Sequence, residues 1–331
     1  MQWLERHWQS VTPLTPVLYP LSLLFGLVVA TRRFFYRHGW LARVRLPVPV
    51  VIVGNVSVGG TGKTPLVLWL AGFLAERGMR PGIVSRGYGR GATAPRPVDA
   101  TSRPEDCGDE PALIAQRGDF PVWVGADRVR AAQALLAAHP ECDVILADDG
   151  LQHYRLERDV EISVVDGARG LGNGLLLPAG PLREPDSRLA EVDILVVNGP
   201  GLGLKARSVT AFDMALKPRM FYNLLNPQHR GATEMFQNRA VHAVAGIGNP
   251  QRFFELLQRM GLTFAAHPFP DHHAFQAADI QFPGADFVVM TEKDAVKCRQ
   301  FATEQHWVLR VDAELDAALG DRILKKLERR A

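Results

Sequence analysis

Cysteine is scarce in this chain, and the three it has, Cys107, Cys142 and Cys298, fall at no metal-ligand spacing. An odd, scattered set excludes a disulfide framework and reads as reduced thiols in a cytosolic compartment. Net charge is also small, +3 over 331 residues, so nucleic acid is not an expected partner. Repeats of fixed period and low-complexity tracts are missing. With 47% hydrophobic and 22% charged residues, the chain has the balance of a packed globular enzyme. Its length exceeds one average domain, and two are expected. One further absence is local. Between Thr31 and Arg45 there is no acidic residue, while five arginines (Arg32, Arg33, Arg37, Arg43, Arg45) crowd the same stretch.

Just before that cluster, from Leu14 to Ala30, the chain is almost wholly apolar, broken by Thr15, Pro16, Pro20 and Ser22. A cleaved signal peptide would carry its basic residues ahead of the apolar run, and here they follow it. A buried core helix is the bland alternative. A membrane anchor or interfacial helix fits best, because Trp3, Trp8, Tyr19, Phe34, Phe35, Tyr36 and Trp40 flank the run as interfacial aromatics do. The arginines would then face anionic headgroups on the cytoplasmic side. The run is near the lower length for a span and holds two prolines, so spanning and lying on the surface both stay open.

After Pro47 and Pro49 the pattern changes to strands alternating with helices. Val48 to Val53 is a β-branched run ending at Gly54, a glycine-rich loop follows, and Pro65 to Arg77 has helical spacing with Gly78 as its stop. Further strands are expected at Pro81–Ser85, Asp143–Ala147, Ile162–Val165 and Ile194–Val197, with a helix over residues 126–138. This predicts an α/β fold: a P-loop NTPase-type parallel sheet with helices on both faces. Thr210 to Leu225 alternates and reads as a hairpin bridging two domains. Beyond it, strands at Val241–Ala245 and Phe287–Met290 and a terminal helix from Glu314 to Arg329 predict a smaller α/β domain. The expected division is a membrane-associated segment over 1–45, a P-loop core over 46–208, a hairpin linker over 209–236 and the smaller domain over 237–331.

The loop carries the strongest chemical signal. In the pattern G-x-x-x-x-G-K-[ST], backbone N–H groups wrap phosphates, the lysine bridges the β- and γ-phosphates and the hydroxyl holds Mg²⁺. Ser57, Val58, Gly59, Gly60, Thr61, Gly62, Lys63 and Thr64 fill these positions, with Ser57 standing where the pattern has its first glycine. The following helix offers its N-terminal dipole. A chance glycine turn is the bland reading, and the flanking strand and helix argue against it. Asp148 and Asp149 close an apolar strand, where a P-loop protein places its metal-side carboxylate. Asp109 and Glu110, in Gly108-Asp109-Glu110-Pro111, offer a carboxylate to orient a hydroxyl and accept its proton, although helix-capping acids look the same. In Phe269-Pro270-Asp271-His272-His273 the consecutive histidines point apart, a poor chelate. One of them paired to a carboxylate across a cleft, or a solvated loop, remains.

These stretches together resemble the tetraacyldisaccharide 4′-kinase family of lipid A biosynthesis. The resemblance runs through Gly54–Pro65, Ser85-Arg86-Gly87-Tyr88-Gly89, Gly108–Pro111 and Asp148-Asp149-Gly150-Leu151-Gln152-His153. It continues through Leu177–Pro185, Asp271-His272 and Thr291-Glu292-Lys293-Asp294, in family order. It implies transfer of the ATP γ-phosphoryl to the 4′-hydroxyl of an acylated glucosamine disaccharide 1-phosphate, giving lipid IVA at the cytoplasmic face of the inner membrane. It implies Asp109 as base, working with His272. Lys63 and Thr64 bind phosphate and Mg²⁺, Asp148, Asp149, Gln152 and Glu184 surround the metal and nucleotide, and Arg183 stabilises the transferring group. Arg86, Tyr88 and Glu110 would contact substrate, and a monomer is expected. The alternative is a membrane-associated P-loop ATPase switch of the ParA/MinD type, which carries a lysine just before its paired glycines where this chain has Val58. A GTPase base-reading motif would separate the lysine and aspartate of Thr291-Glu292-Lys293-Asp294 by one residue.

Overall fold

The computed structural model describes residues 7–87, 94–201, 203 and 210–328. In chain order its principal elements begin with α1 (Leu14–Arg37), β1 (Val50–Gly54), α2 (Lys63–Glu76), β2 (Pro81–Ser85) and β3 (Arg96–Val98). Next come α3 (Asp109–Arg117), β4 (Val122–Val124), α4 (Arg128–Ala138), β5 (Val144–Asp148), β6 (Val160–Asp166) and β7 (Ile194–Asn198). The rest are β8 (Ala211–Asn223), β9 (Arg230–Gly231), β10 (Val241–Ala245), α5 (Pro250–Arg259), β11 (Ala265–Pro268), β12 (Phe287–Thr291), α6 (Glu292–Cys298), β13 (His306–Leu315) and α7 (Ala317–Glu328).

β1 reads Val-Val-Ile-Val-Gly and is buried at every position. Successive side chains leave a strand on opposite faces. Val51 and Val53 therefore enter one core with Leu66, Leu70 and Ile114, while Val50 and Ile52 enter another with Val129 and Leu135. Burial on both faces is why the strand is apolar throughout. It lies parallel between β5 and β6, so its glycine-rich exit opens beside the carboxyl end of β5.

The strands form one sheet in the order β11-β10-β12-β13-β8-β7-β6-β1-β5-β2-β4-β3, with β9 attached to β8. β1 to β7 and their helices make a first lobe, and β10 to β12 with α5 and α6 make a second. Within 209–236 the hairpin is short, β8 turning back into the two-residue β9, and most of β8 pairs elsewhere. Ala211–Met214 of β8 pairs parallel with β7, and Met214–Asn223 pairs antiparallel with β13. β9 reaches only Phe221 and Tyr222. The partner that completes this ribbon thus comes from about ninety residues further on, which local alternation cannot signal. The register shifts between Arg310 and Val311, opposite Pro218, which has no N–H to give the ladder.

The terminal helix is shorter than expected at its start, because residues to Leu315 belong to β13. Nor does it pack with the second lobe. Leu319, Ile323 and Leu327 of α7 are buried in the first lobe's core with Leu66, Phe73 and Leu74. Their spacing makes one apolar stripe, and Gly320 lets it close on Phe73: a Cβ there would sit 2.3 Å from the ring.

α1 runs through Pro16 and Pro20 and is long and apolar enough, by length and composition, to cross a membrane. It lies along the first lobe. Trp8 Nε1, just before it, donates to Pro178 O (2.9 Å); Ser22 Oγ donates to Leu176 O and accepts from Ala179 N, both at 2.9 Å. Arg33 and Arg37 at its end hold Glu191. The opposite face is open, with Leu21, Leu23, Leu24, Leu27 and Val28 all more than half exposed. The arginine cluster is therefore only partly free for headgroups. Besides Arg33 and Arg37, Arg45 pairs with Glu157 at 3.4 Å and Arg32 lies over the Tyr36 and Tyr154 rings, because acidic and aromatic partners stand within side-chain reach.

Candidate active site

The glycine-rich loop leaves β1 and turns into α2 with Gly59 and Gly62 at φ +98° and +93°, a region that L side chains rarely adopt. Gly62 also admits Asn198, whose Nδ2 would be 2.4 Å from a Cβ there and which donates to Thr61 O at 3.0 Å. Asn55, fully buried, donates to Gly59 O at 3.4 Å and ties the loop's start to its middle. The loop is thus held open as a nest of backbone N–H groups at a helix N-terminus.

Beside it, Asp149 sits at φ +48°, a left-handed backbone that aims its carboxylate back at the loop. Lys63 Nζ lies 3.5 Å away, and Arg183 donates to both carboxylate oxygens, at 3.1 and 2.8 Å, while also reaching Asn55 O at 3.1 Å. Burial pushes Asp149 up, but the Lys63 and Arg183 charges outweigh it and hold the group far below the usual carboxylate range. Its neighbour Asp148 is the reverse case. Buried and facing Glu110 and Asp149, it is pushed up to about 7. Ser85 Oγ donates to one of its oxygens at 3.2 Å, and the other, Oδ1, is buried with no protein partner.

Gln152 and Glu184 are not in this cleft. Gln152 Nε2 donates to Asn55 O (3.0 Å) and Glu184 Oε1 (2.7 Å). Glu184, 1% exposed, is closed in by Tyr154, Arg33 and Arg188. The two brace the back of Asn55 and link it to α1. Sequence adjacency to Arg183 concealed this, since consecutive residues point different ways.

On the far side, Gly108 at φ +95° turns the chain into α3, whose first two residues are Asp109 and Glu110. His272, itself at φ +58°, places Nδ1 3.1 Å from Asp109 Oδ2. His273 does not reach it; its Nε2 is 3.0 Å from Asp279 Oδ2 and its ring stacks on Phe269. Desolvation alone would raise Asp109, yet its bond with His272 and the charges of Lys297 and Lys293 hold it below its ordinary value. Lys293 Nζ is 3.2 Å from both Glu110 and Asp271.

A cleft of about 860 Å³ brings these groups together. Its walls include Ser57 to Thr61, Lys63, Arg86, Asp109, Glu110, Asp149 and Arg183 from the first lobe and Gly248, Asp271 and His272 from the second. Thr64 lines a smaller adjoining cavity of about 240 Å³. Tyr88 lies outside the described residues. The lobes touch at two glycines: a Cβ on Gly248 would lie 2.7 Å from Gly60 N, and Arg169 donates to Gly248 O at 2.6 Å. Sequence reasoning gave no role to Asn55, Arg169, Lys293 or Lys297. For the lysines a signal existed: four residues apart on one helix, they share a face.

A cationic phosphate nest facing a carboxylate–imidazole pair across one cleft is an arrangement for moving a phosphoryl group to a hydroxyl. The comparisons agree. Residues 14–328 match the family model described as LpxK, tetraacyldisaccharide-1-P 4′-kinase. A tetraacyldisaccharide 4′-kinase of Methylobacillus flagellatus is 50% identical over 99% of this chain and 96% of its own length. One from an Azoarcus species is 52% identical over 97% and 94%. A crystal structure of LpxK from Aquifex aeolicus in complex with ATP superposes with a TM-score of 0.79 at 29% identity, covering 95% of this chain and 99% of that one. Matched along nearly its whole length by sequence and by fold, this chain is a kinase and belongs to the tetraacyldisaccharide 4′-kinase family.

Proposed function

We propose that this chain transfers the γ-phosphoryl group of ATP to the 4′-hydroxyl of a tetraacylated glucosamine disaccharide 1-phosphate. The product is lipid IVA, and the reaction takes place at the cytoplasmic face of a bacterial inner membrane. The observation that carries the reading is the pair Asp109 and His272 sharing one cleft with Lys63. Asp109 accepts the hydroxyl proton as the phosphoryl group departs, and His272 holds the carboxylate in line. Lys63 and Arg183 stabilise charge on the transferring oxygens, and the backbone N–H groups from Ser57 to Thr64 cradle the phosphates. Arg86, Tyr88 and Glu110 are the proposed contacts to the sugar.

Hard oxygen donors suit Mg²⁺, and the unpartnered Asp148 Oδ1 with Asp149 and the Thr64 hydroxyl fit it. When bound, Mg²⁺ neutralises charge on the β- and γ-phosphates. The open apolar face of α1 lies on the bilayer surface rather than crossing it, since the opposite face is bonded to the first lobe along the helix. The acyl chains stay in lipid while the sugar enters the cleft. One chain supplies every group named, so a monomer suffices.

The test incubates the protein with labelled ATP, Mg²⁺ and tetraacyldisaccharide 1-phosphate in detergent. Label should appear in lipid, and Asp109→Asn should lower kcat by about 10²- to 10⁴-fold with ATP still bound. Brisk ATPase with no labelled lipid would favour the switch ATPase instead.

A further inference from the structure

Lys297 stands one helical turn after Lys293 on α6, and both ammonium groups face α3. Lys293 is taken by Glu110 and Asp271. Lys297 is 7% exposed, with Nζ 2.9 Å from Asp294 Oδ1, 3.8 Å from Asp109 Oδ2 and 4.9 Å from the centre of the Phe275 ring. Asp294 is fully buried and fixed in turn, accepting from Thr291 Oγ1 at 2.6 Å and from Gly246 N at 2.9 Å. Held by Asp294 and roofed by an aromatic ring, Lys297 cannot swing into water, and a buried charge must be answered by charge.

We propose that Lys297 is a positioning residue for Asp109: the second lobe delivers its ammonium group beside the carboxylate, keeping it ionised and turned to His272. This rests on the reading of Asp109 as the base. The charged groups facing Asp109 are Glu110 on its own helix, Lys293, Asp294 and Lys297 from α6, and Asp271 and His272 from the loop after β11. Glu110 and Asp271 answer Lys293, and Asp294 holds Lys297 in place. Without Lys297, Asp109 would face three carboxylates, Glu110, Asp271 and Asp294, with only Lys293 and His272 to offset them. That fits a carboxylate held below its ordinary range although it is mostly buried.

The experiment measures kcat/KM against pH for the full chain with ATP and detergent-solubilised tetraacyldisaccharide 1-phosphate, comparing the unmodified protein with Lys297→Met, Lys297→Arg and Asp109→Asn. Lys297 is one of the charges that hold Asp109 below its ordinary value, so losing it raises the carboxylate. In Lys297→Met the acid limb should therefore move to higher pH by about one unit, and Lys297→Arg should return it. Lys297→Gln supplies the same reading should the Met variant not fold. An acid limb that stays in place in a folded neutral variant, or one that Arg fails to return, overturns the proposal. Near-normal turnover by Asp109→Asn overturns the base assignment beneath it, so the two failures are told apart.

Discussion

Arg117 donates to both carboxylate oxygens of Glu292, at 2.8 and 2.7 Å, and so ties the far end of the helix that begins with Asp109 to the second lobe. Asp312 of β13 takes the other arm of the guanidinium, and Val311 O accepts at 3.3 Å. α3 is thus gripped at both ends, by Lys293 and Lys297 near its start and by Glu292 at its finish.

Breaking this clamp leaves a buried acid without its counter-charge. Arg117→Met should cost about 3–5 kcal/mol in urea unfolding, and adding Glu292→Gln should restore part of that. Arg117→Met unfolding at the normal midpoint would show the clamp to be idle.

The glycine contact between the lobes gives a second expectation. A methyl on Gly248 would strike Gly60 N, so Gly248→Ala should hold the lobes apart. We expect kcat/KM for ATP to fall about tenfold or more, equivalent to ~1.4 kcal/mol, with the unfolding midpoint little changed. A variant with normal ATP kinetics would mean the lobes need not touch there.

His153 sets a pH dependence of stability. Burial and the nearby charges of Arg128, Arg158 and Arg32 press it down to about 4 from 6.5, only partly offset by Asp127. Between those values the unfolded chain binds a proton that the folded chain does not, so stability rises with pH across the window and falls on acidification. The whole step is about 3 kcal/mol. Denaturation midpoints measured through that window should lose this slope in His153→Gln; an unchanged slope would assign it elsewhere.

For the membrane, Leu21, Leu24 and Val28 share the open face of α1. Replacing all three with serine should weaken sedimentation with anionic vesicles by about a hundredfold or more, at roughly 1.5–3 kcal/mol per side chain. Turnover of detergent-dispersed substrate should persist. Unchanged vesicle binding would point to another surface.

Much of this was legible in the residues because it is local. β1, the phosphate loop and α2 follow from a β-branched run, glycines and a helical stripe within thirty residues, and all three stand where they were read. The family resemblance was legible for a different reason, since its motifs carry order as well as composition. What escaped was long-range. β13 finds β8 across the whole second lobe, α7 returns to the first, and Glu184 turns its back on the cleft that Arg183 enters. The role of Lys297 was hidden because Asp109 and Lys297 are brought together only by the packing of two lobes.

The return of α7 has a consequence for how the protein is made. Leu319, Ile323 and Leu327 complete a core whose other walls, Leu66, Phe73 and Leu74, leave the ribosome about 250 residues earlier. A chain still in synthesis therefore displays the unfilled groove of its phosphate-binding lobe until α7 has been made. A premature stop that spared every residue of the cleft would still leave that lobe unfinished.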